Sequence, residues 1–483
     1  MMRNDSLDPD DLATRIGARA PRYTALADSI WEMAELRFAE HRSVAAQIAL
    51  LEAEGFRVTR RVAGLETAFM AEAVVGQGGP VIGFLGEFDA LAGLSQEAGN
   101  PRPAPLVAGG NGHGCGHHLL GTGAMLAAAA ARDMLAAEGL SGTIRYYGCP
   151  AEEGGSGKTF MAREGVFDDL AAAICWHPGT YAGVMSNLTL ANFQVYFRFR
   201  GRPAHAAGSP HLGRSALDAV EIMNMGANYL REHIPSDARL HYAITDAGGI
   251  SPNVVQARAE VLYLIRSPKV AQAEALFARV RRCAEGAAHM TETELTVEVD
   301  KACSEVVPNT VLEMAMHENI RRLGPPRFDE EDRAFAAAIR ESLTAEDIES
   351  GVATFGAPPE SGALPLPEEI LAFDGTPRFN AGSTDVGDVS WVVPTVQCWG
   401  ACYAIGTPFH TWQMVAQGRR PAAHKGMVHA AQAMAATALD AIRDPEMLAR
   451  ARAELTRRTG GRPYACPIPP GVVAPPLRAP RAG

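Results

Sequence analysis

Short apolar runs that each end in a chemically loaded turn, spaced by helix-length stretches, restrict most strongly how this chain can fold. Val81 to Leu85 runs into Gly86-Glu87-Phe88-Asp89, Thr143 to Cys149 into a loop carrying Glu152 and Glu153, and Ala172 to His177 closes on a histidine. Apolar runs of about 4–8 residues bounded by Gly and Pro read as buried strands. A helical region, Leu26 to Glu54, precedes them. Between the first two strands lie a Gly- and Pro-rich loop, Gly99 to Gly116, and an Ala-rich helix, Leu119 to Glu138, closed by Gly139. A short helix from Lys158 to Arg163 precedes the third strand. This alternation predicts an α/β fold with a mixed, mostly parallel sheet, in which ligands collect beyond the carboxyl ends of the strands. The polar residues just named fall there.

From Asn192 the pattern changes. Strand Asn192–Arg200, helix Arg214–Glu232, strand Leu240–Asp246, strand Val254–Arg266, helix Val270–Met290 and strand Glu294–Lys301 give the order β-α-β-β-α-β, a ferredoxin-like α+β unit. Phe193, Val195, Phe197 and Phe199 alternate with Gln194, Tyr196, Arg198 and Arg200, so one sheet face is covered and the other is more polar. A chain of 483 residues with 47% hydrophobic composition exceeds one core. The expected division is therefore a first domain over 1–189 and 303–459, an inserted domain over 190–302, and a Pro/Gly-rich tail over 460–483 with the composition of a disordered segment. Within the returning part, Asn309–Leu323 reads as a helix, 325–377 as an acidic, Pro/Gly-rich stretch, and Lys425–Ile442 as the last helix.

A formal net charge of -11 argues against nucleic acid or an anionic membrane as partner, since both select basic surfaces. The polar, acidic amino terminus lacks a signal-like apolar stretch. The most apolar run, Ala124 to Ala131, falls short of the ~18 residues of a membrane span. Eight irregularly spaced cysteines resemble reduced thiols more than a disulfide framework. The expectation is a cytoplasmic protein acting on a small molecule.

Gly112-His113-Gly114-Cys115-Gly116-His117-His118 packs three imidazoles and a thiol into one loop whose glycines allow tight bending. Neutral imidazole and thiolate are good ligands for divalent zinc and its neighbours. Alone, the loop is compatible with a structural zinc or with histidines that only hydrogen-bond. Pro150-Ala151-Glu152-Glu153-Gly154-Gly155 and Cys175-Trp176-His177-Pro178 leave neighbouring strands at the same ligand edge. A two-metal centre needs a bridging ligand and terminal ligands, beside a carboxylate kept free to move protons; adjacent glutamates can divide those duties. Thr407-Pro408-Phe409-His410-Thr411-Trp412 adds a histidine in an apolar setting, which by itself is more often structural.

In this order the residues resemble the aminoacylase and carboxypeptidase family of two-metal amidohydrolases. The likeness is carried by Gly86 to Ser95, Gly112 to Gly123, Pro150 to Gly154, Ser383-Thr384-Asp385-Val386-Gly387 and His424-Lys425-Gly426-Met427, and spans about Asp28 to Ile442. The resemblance implies an exopeptidase-like catalytic domain with the inserted unit as a lid and dimerisation domain. It implies two divalent ions, zinc or manganese, held by Cys115, His117, Glu153, His177 and His410, with the Cys115 thiolate a plausible bridge. Glu152 would be the general base, and His205, in Gly201-Arg202-Pro203-Ala204-His205, would polarise the scissile carbonyl, often from the partner subunit. Asn253 and Arg266 match positions that hold the substrate carboxylate, for which a guanidinium fork is suited. The substrate would be an N-acyl amino acid, and the assembly a homodimer or a heteromer with a related subunit.

His118 stands where the family commonly has Asp or Asn, which adds an imidazole able to compete for metal or contact substrate. Glu87 and Asp89, and with them Asp385 and Asp388, are read as supports for the ligands. Aminoacylase, indole-acetyl-amino-acid hydrolase and dipeptidase activities share the scaffold. A catalytically inactive metal-binding subunit is the non-enzyme alternative.

Overall fold

The computed structural model describes residues 9–474. Along the chain these form α1 (Pro9–Met33), α2 (His41–Ala53), β1 (Arg57–Arg60), β2 (Phe69–Val75), β3 (Val81–Glu87), α3 (His117–Ala137), β4 (Gly142–Cys149), α4 (Gly157–Arg163), β5 (Ala172–Gly179) and β6 (Gly183–Val184). Next come β7 (Asn187–Leu188), β8 (Ala191–Arg200), α5 (Ala216–Leu230), β9 (Arg239–Asp246), β10 (Arg258–Ser267), α6 (Val270–Thr291) and β11 (Glu294–Cys303). The chain ends with α7 (Thr310–Leu323), α8 (Glu330–Arg340), α9 (Ala345–Phe355), β12 (Arg378–Phe379), α10 (Val386–Val392), β13 (Thr395–Ala401), α11 (Trp412–Gln417), α12 (Pro421–Arg443) and α13 (Pro445–Thr459). Two compact units result. One spans residues up to Asn187, Val307–Arg378 and Val389–Tyr464; the other spans Leu188–Val306 and Phe379–Asp388, with the residues from Ala465.

The larger unit is built on a seven-stranded sheet in the order β1-β2-β4-β3-β5-β13-β6. Its centre, β4-β3-β5-β13, is parallel, while β1, β2 and β6 join antiparallel at the edges. The central strands are buried on both faces, as parallel strands covered by helices must be. Helix α3 is long and apolar enough to cross a membrane by composition, yet 83% of its most apolar window is buried. An all-round apolar helix of this kind belongs in a protein core. Its small residues let it lie close on the sheet: a Cβ on Gly121 would stand 2.6 Å from the Glu87 carbonyl oxygen. Trp176 on β5 locks the contact, donating its indole N–H to Leu120 O at 2.8 Å.

The smaller unit carries a four-stranded antiparallel sheet, β11-β8-β10-β9. Phe193, Val195, Phe197 and Phe199 of β8 are buried, with Phe193 stacked on Phe277 of α6, while Arg198 on the opposite face pairs with Glu260 and Glu298. Asp388 accepts hydrogen bonds from the N–H and hydroxyl of Ser304. Its carboxylate thus braces the backbone just beyond β11.

Three sequence expectations change. The opening helical region is two helices, broken where Ala34 and Phe38 take positive φ of 40° and 57°. The acidic, Pro/Gly-rich stretch, to which the sequence pattern assigns no element, holds α8 and α9, each started by a capping box, Asp329 with Asp332 and Thr344 with Asp347; local capping outweighed the Pro/Gly composition around them. Helix α13 follows the helix expected to be last. Residues 461–474 carry no helix or strand, and the rest of the expected tail lies outside the described residues.

Candidate metal centre

The turns after β3, β4 and β5 meet the start of α3 at one edge of the central sheet. His117 opens α3 behind Gly116, whose φ of 80° makes the turn and whose Cβ, if present, would stand 2.3 Å from the Tyr403 hydroxyl. His117 Nδ1 lies 2.8 Å from Asp89 Oδ1, just beyond β3. The other Asp89 oxygen accepts the backbone N–H of Glu153 at 2.9 Å. One buried carboxylate thus orients both an imidazole and the loop that follows β4. Nδ1–H is donated to Asp89, and Nε2 faces Glu87 Oε2 at 3.2 Å, so Nε2 is the atom that either a proton or a metal ion would occupy.

His177, on β5, is set in the same way. Its Nδ1–H donates to Pro178 O at 2.9 Å, which leaves Nε2 to approach Cys115 Sγ at 3.4 Å. His410 arrives from the turn before α11; its N–H donates to Gly114 O at 2.8 Å, and its Nε2 is 3.4 Å from Glu153 Oε1. Ala151, Ser156 and His410 all hold positive φ, of 61°, 55° and 60°. Such backbone costs free energy in a non-glycine residue and persists only where neighbours impose it. Here Glu40 Oε1 accepts the Ala151 N–H at 2.9 Å, and the Arg37 guanidinium donates to Gly154 O.

Three donor groups result, each with its ligand atoms within 4.8 Å of one another: Cys115–His117–His177, Cys115–Glu153–His410 and Glu87–His117–Glu152. The first two share Cys115. All five residues expected as metal ligands therefore converge, with Glu152 beside them. The chemistry of the donors fits a divalent transition ion, which takes thiolate, imidazole and carboxylate together. His117 Nε2 and Glu153 Oε1 are buried without a well-formed hydrogen bond among the described residues. The approaches of Glu87 and His410 to them have ion-pair distance but not hydrogen-bond geometry, and buried orphans of this kind call for an ion or a water.

The electrostatics agree. Burial, then the charge of His117, pushes His177 down to about 3, so its imidazole is neutral, the form a metal takes. Burial works against the Glu153 carboxylate, but His410 and His117 bring it down to about 2. The close approach of Cys115 and Glu153 lifts His410 to about 11. His117 is lifted well above its ordinary value: burial opposes this, but the charges of Cys115 and Asp89 prevail. The acidic groups of the cluster thus favour a positive charge where the donors converge, carried by protons or by a metal ion.

His118 takes no part in the three groups. It is fully buried, bonds through Nε2 to Gly418 O at 2.9 Å, and packs its ring 4.9 Å from that of His113. The possible competitor for metal is a packing residue, because its place one step along α3 turns it away from His117. Three buried groups escaped the sequence reading: Arg37, Glu40 and Lys158, the last of these 2.6 Å from Glu87 Oε1. Only Lys158 left a signal, a lone cation before the apolar Phe160-Met161-Ala162.

In the smaller unit, His205 and Asn253 lie on paired segments, with Ala206 N–H donating to Asn253 O at 2.9 Å. His205 Nδ1 accepts from the N–H groups of Ala207 and Gly208 at 3.2 and 3.0 Å, so its proton sits on the exposed Nε2. Arg266 bonds Ser383 Oγ at 2.9 Å near the far end of β10. From Arg258 to Arg266 that strand runs about 26 Å at ~3.3 Å per residue. Within this unit Arg266 is not brought to Asn253.

A mostly parallel α/β sheet whose strand ends converge thiol, imidazole and paired carboxylates defines a metal-dependent amidohydrolase. The chain belongs to peptidase family M20/M25/M40, whose profile matches residues 83–472. It is 51% identical to the B subunit of p-aminobenzoyl-glutamate hydrolase of Escherichia coli (strain K12), covering 96% of this chain and 98% of that one. It is 30% identical to Xaa-Arg dipeptidase of Mus musculus, over 92% of this chain and 90% of the other. Among solved structures, a Bacillus subtilis dinuclear metal-binding peptidase of the M20 family shares the fold, with a TM-score of 0.55 and 19% identity over 88% of this chain and 99% of that one.

Proposed function

We propose that the chain hydrolyses the amide bond of an N-acyl amino acid of the p-aminobenzoyl-glutamate type, with two divalent ions, zinc or manganese, at the cluster above. The observation that carries the reading is the sharing of Cys115 by two donor groups, Cys115–His117–His177 and Cys115–Glu153–His410. The likeness to the E. coli hydrolase supports the choice of substrate. When bound, the ions supply Lewis acidity toward the carbonyl and lower the pKa of water. Glu152 takes the proton of the attacking water and passes it to the leaving amine as the carbon–nitrogen bond breaks, giving an acid and a free amino acid. Glu153 does not compete for that proton, since its carboxyl is held near 2. His205 offers its Nε2–H to the carbonyl oxygen as negative charge develops there, and Asn253 and Arg266 hold the substrate carboxylate.

Arg266 and the His205–Asn253 pair stand too far apart along β10 for one lid to bring both to one small substrate. This supports a site completed by two chains. The edge strand β9 and helix α5 suit such pairing, because Tyr242, Ile244, Met225 and Tyr229 are exposed there beside an unpaired strand edge. The partner is a second copy; the name of the E. coli relative, which is one subunit of a hydrolase, raises a related chain as the other candidate.

The test is the purified chain alone, with zinc or manganese, on p-aminobenzoyl-glutamate, Xaa-Arg dipeptides, and N-acetyl and indole-acetyl amino acids, with metal counted by mass spectrometry. Fastest release of p-aminobenzoate supports the reading. Preference for Xaa-Arg shifts it to the dipeptidase alternative, which the mouse relative favours. Bound metal without turnover on any substrate leaves the inactive-partner reading.

A further inference from the structure

Lys158 is fully buried on α4, with its ammonium 2.6 Å from Glu87 Oε1. Burying this pair costs desolvation that a neutral pair would avoid, so its presence asks for a reason beyond stability. The other Glu87 oxygen is 3.2 Å from His117 Nε2, and Glu87, His117 and Glu152 form the third donor group. Glu87 is therefore a carboxylate within reach of the ion that His117 would bind, and the reaction above gives it no role. A carboxylate in that place, with nothing to hold its far side, would turn into the coordination sphere, because divalent ions readily take a further oxygen donor. It would then fill the position that a catalytic site keeps open for water and substrate.

We propose that Lys158 is a positioning residue acting through Glu87: its ammonium holds that carboxylate as an ion-pair partner, so that Glu87 faces His117 without ligating metal. The inference rests on the metal-centre reading. Helix α4 gives the tether its rigidity, since it starts just after Ser156, whose strained backbone fixes the turn after the glutamate pair. A lysine that only neutralised a buried charge would affect stability and leave the coordination of the ion unchanged.

The test uses the full chain loaded with Co²⁺ as a spectroscopic probe, in wild type, Lys158→Met, Glu87→Gln and the double variant. In Lys158→Met cobalt stays bound, the visible bands weaken as coordination number rises, and kcat falls about 10- to 100-fold, the usual cost of disturbing a ligand's supports. Glu87→Gln keeps the wild-type cobalt content and spectrum. The double variant returns to the wild-type spectrum, because an amide is a poorer ligand than a carboxylate. A wild-type spectrum in Lys158→Met, or an altered spectrum that persists in the double variant, overturns the proposal. Loss of cobalt from Glu87→Gln also overturns it, by making Glu87 a native ligand. If Lys158→Met does not fold, Lys158→Gln, which also keeps Glu87 and removes the ammonium, is read in its place by the same spectrum. Wild type that binds no metal would instead remove the metal-centre reading itself.

Discussion

Replacing Asp89 by asparagine exchanges one oxygen for one amide nitrogen and disturbs two candidate ligands together. The carboxylate receives His117 Nδ1–H at 2.8 Å and the Glu153 N–H at 2.9 Å, one on each oxygen. Asparagine has a single acceptor oxygen, so one of the two donors would face an NH₂ group. A hydrogen bond to a charged group contributes about 1.5–3 kcal/mol, and Asp89 is almost fully buried, so water does not replace the lost partner. A loss of about 2 kcal/mol in metal affinity follows, which is about 30-fold in Kd. Competition with a calibrated chelator measures it, with the melting temperature of the metal-free protein as a control for general loosening. An affinity within about threefold of wild type would show that His117 and Glu153 are oriented by something other than Asp89.

Glu152→Gln is expected to lower kcat by about 10²- to 10⁴-fold with metal content intact; near-normal turnover would move the base elsewhere. Cys115→Ser and His117→Ala should each reduce metal occupancy as well as rate, and full occupancy in both would exclude this loop as the metal site. Burial raises Glu313 to about 7, above its unfolded value, so the folded chain holds a proton there that the unfolded chain has released. Stability is then full below about pH 4.5 and falls until about pH 7, by roughly 3 kcal/mol; Glu313→Gln should melt higher than wild type at pH 8 and much less so at pH 5, and an equal difference at both values would refute the assignment. Mixing inactive Glu152→Gln and His205→Ala chains, with subunit exchange proven, should restore activity if His205 serves the neighbouring chain, whereas a mixture as inactive as its parents means that it serves its own.

The sheet was legible because its signals are local, and the residues that converge at its edge were legible from several motifs taken together rather than from any one of them. Val81 to Leu85 is a continuous apolar run, as a strand buried on both faces must be, and Gly-Cys-Gly-His gains its meaning beside the glutamate pair and His177 that leave the neighbouring strands. What escaped was set by distant contacts. His118 looked like Cys115 and His117 in sequence, and only its bond to Gly418, 300 residues away, gives it a packing role. Helices α8 and α9 were hidden because Pro and Gly counts describe a stretch, whereas a capping box acts at a few positions within it. Asn253 and Arg266 were expected to hold one substrate carboxylate, yet Asn253 precedes β10 and Arg266 lies near its far end, a separation that only the strand direction of the folded unit reveals.

Strain and charge at the site have one physical origin. Ligands carried on loops would ordinarily be imprecise, yet Ala151, Ser156 and His410 hold backbone conformations that non-glycine residues avoid. Each loop is fixed from outside itself: Glu40 takes the Ala151 N–H, Arg37 takes Gly154 O, and Gly114 O takes the His410 N–H. The Glu40 carboxyl that does this is buried and lifted to about 8, by desolvation first and by the charge of Asp89 second. The carboxylate that orients His117 and Glu153 thus raises the proton affinity of the group that braces the same loop. Negative charge is concentrated there beyond what the fold alone requires, and it is balanced by protonated His117 and His410 or by metal. A centre built in this way spends part of the stability of the fold on holding donors close together, and a bound cation returns it.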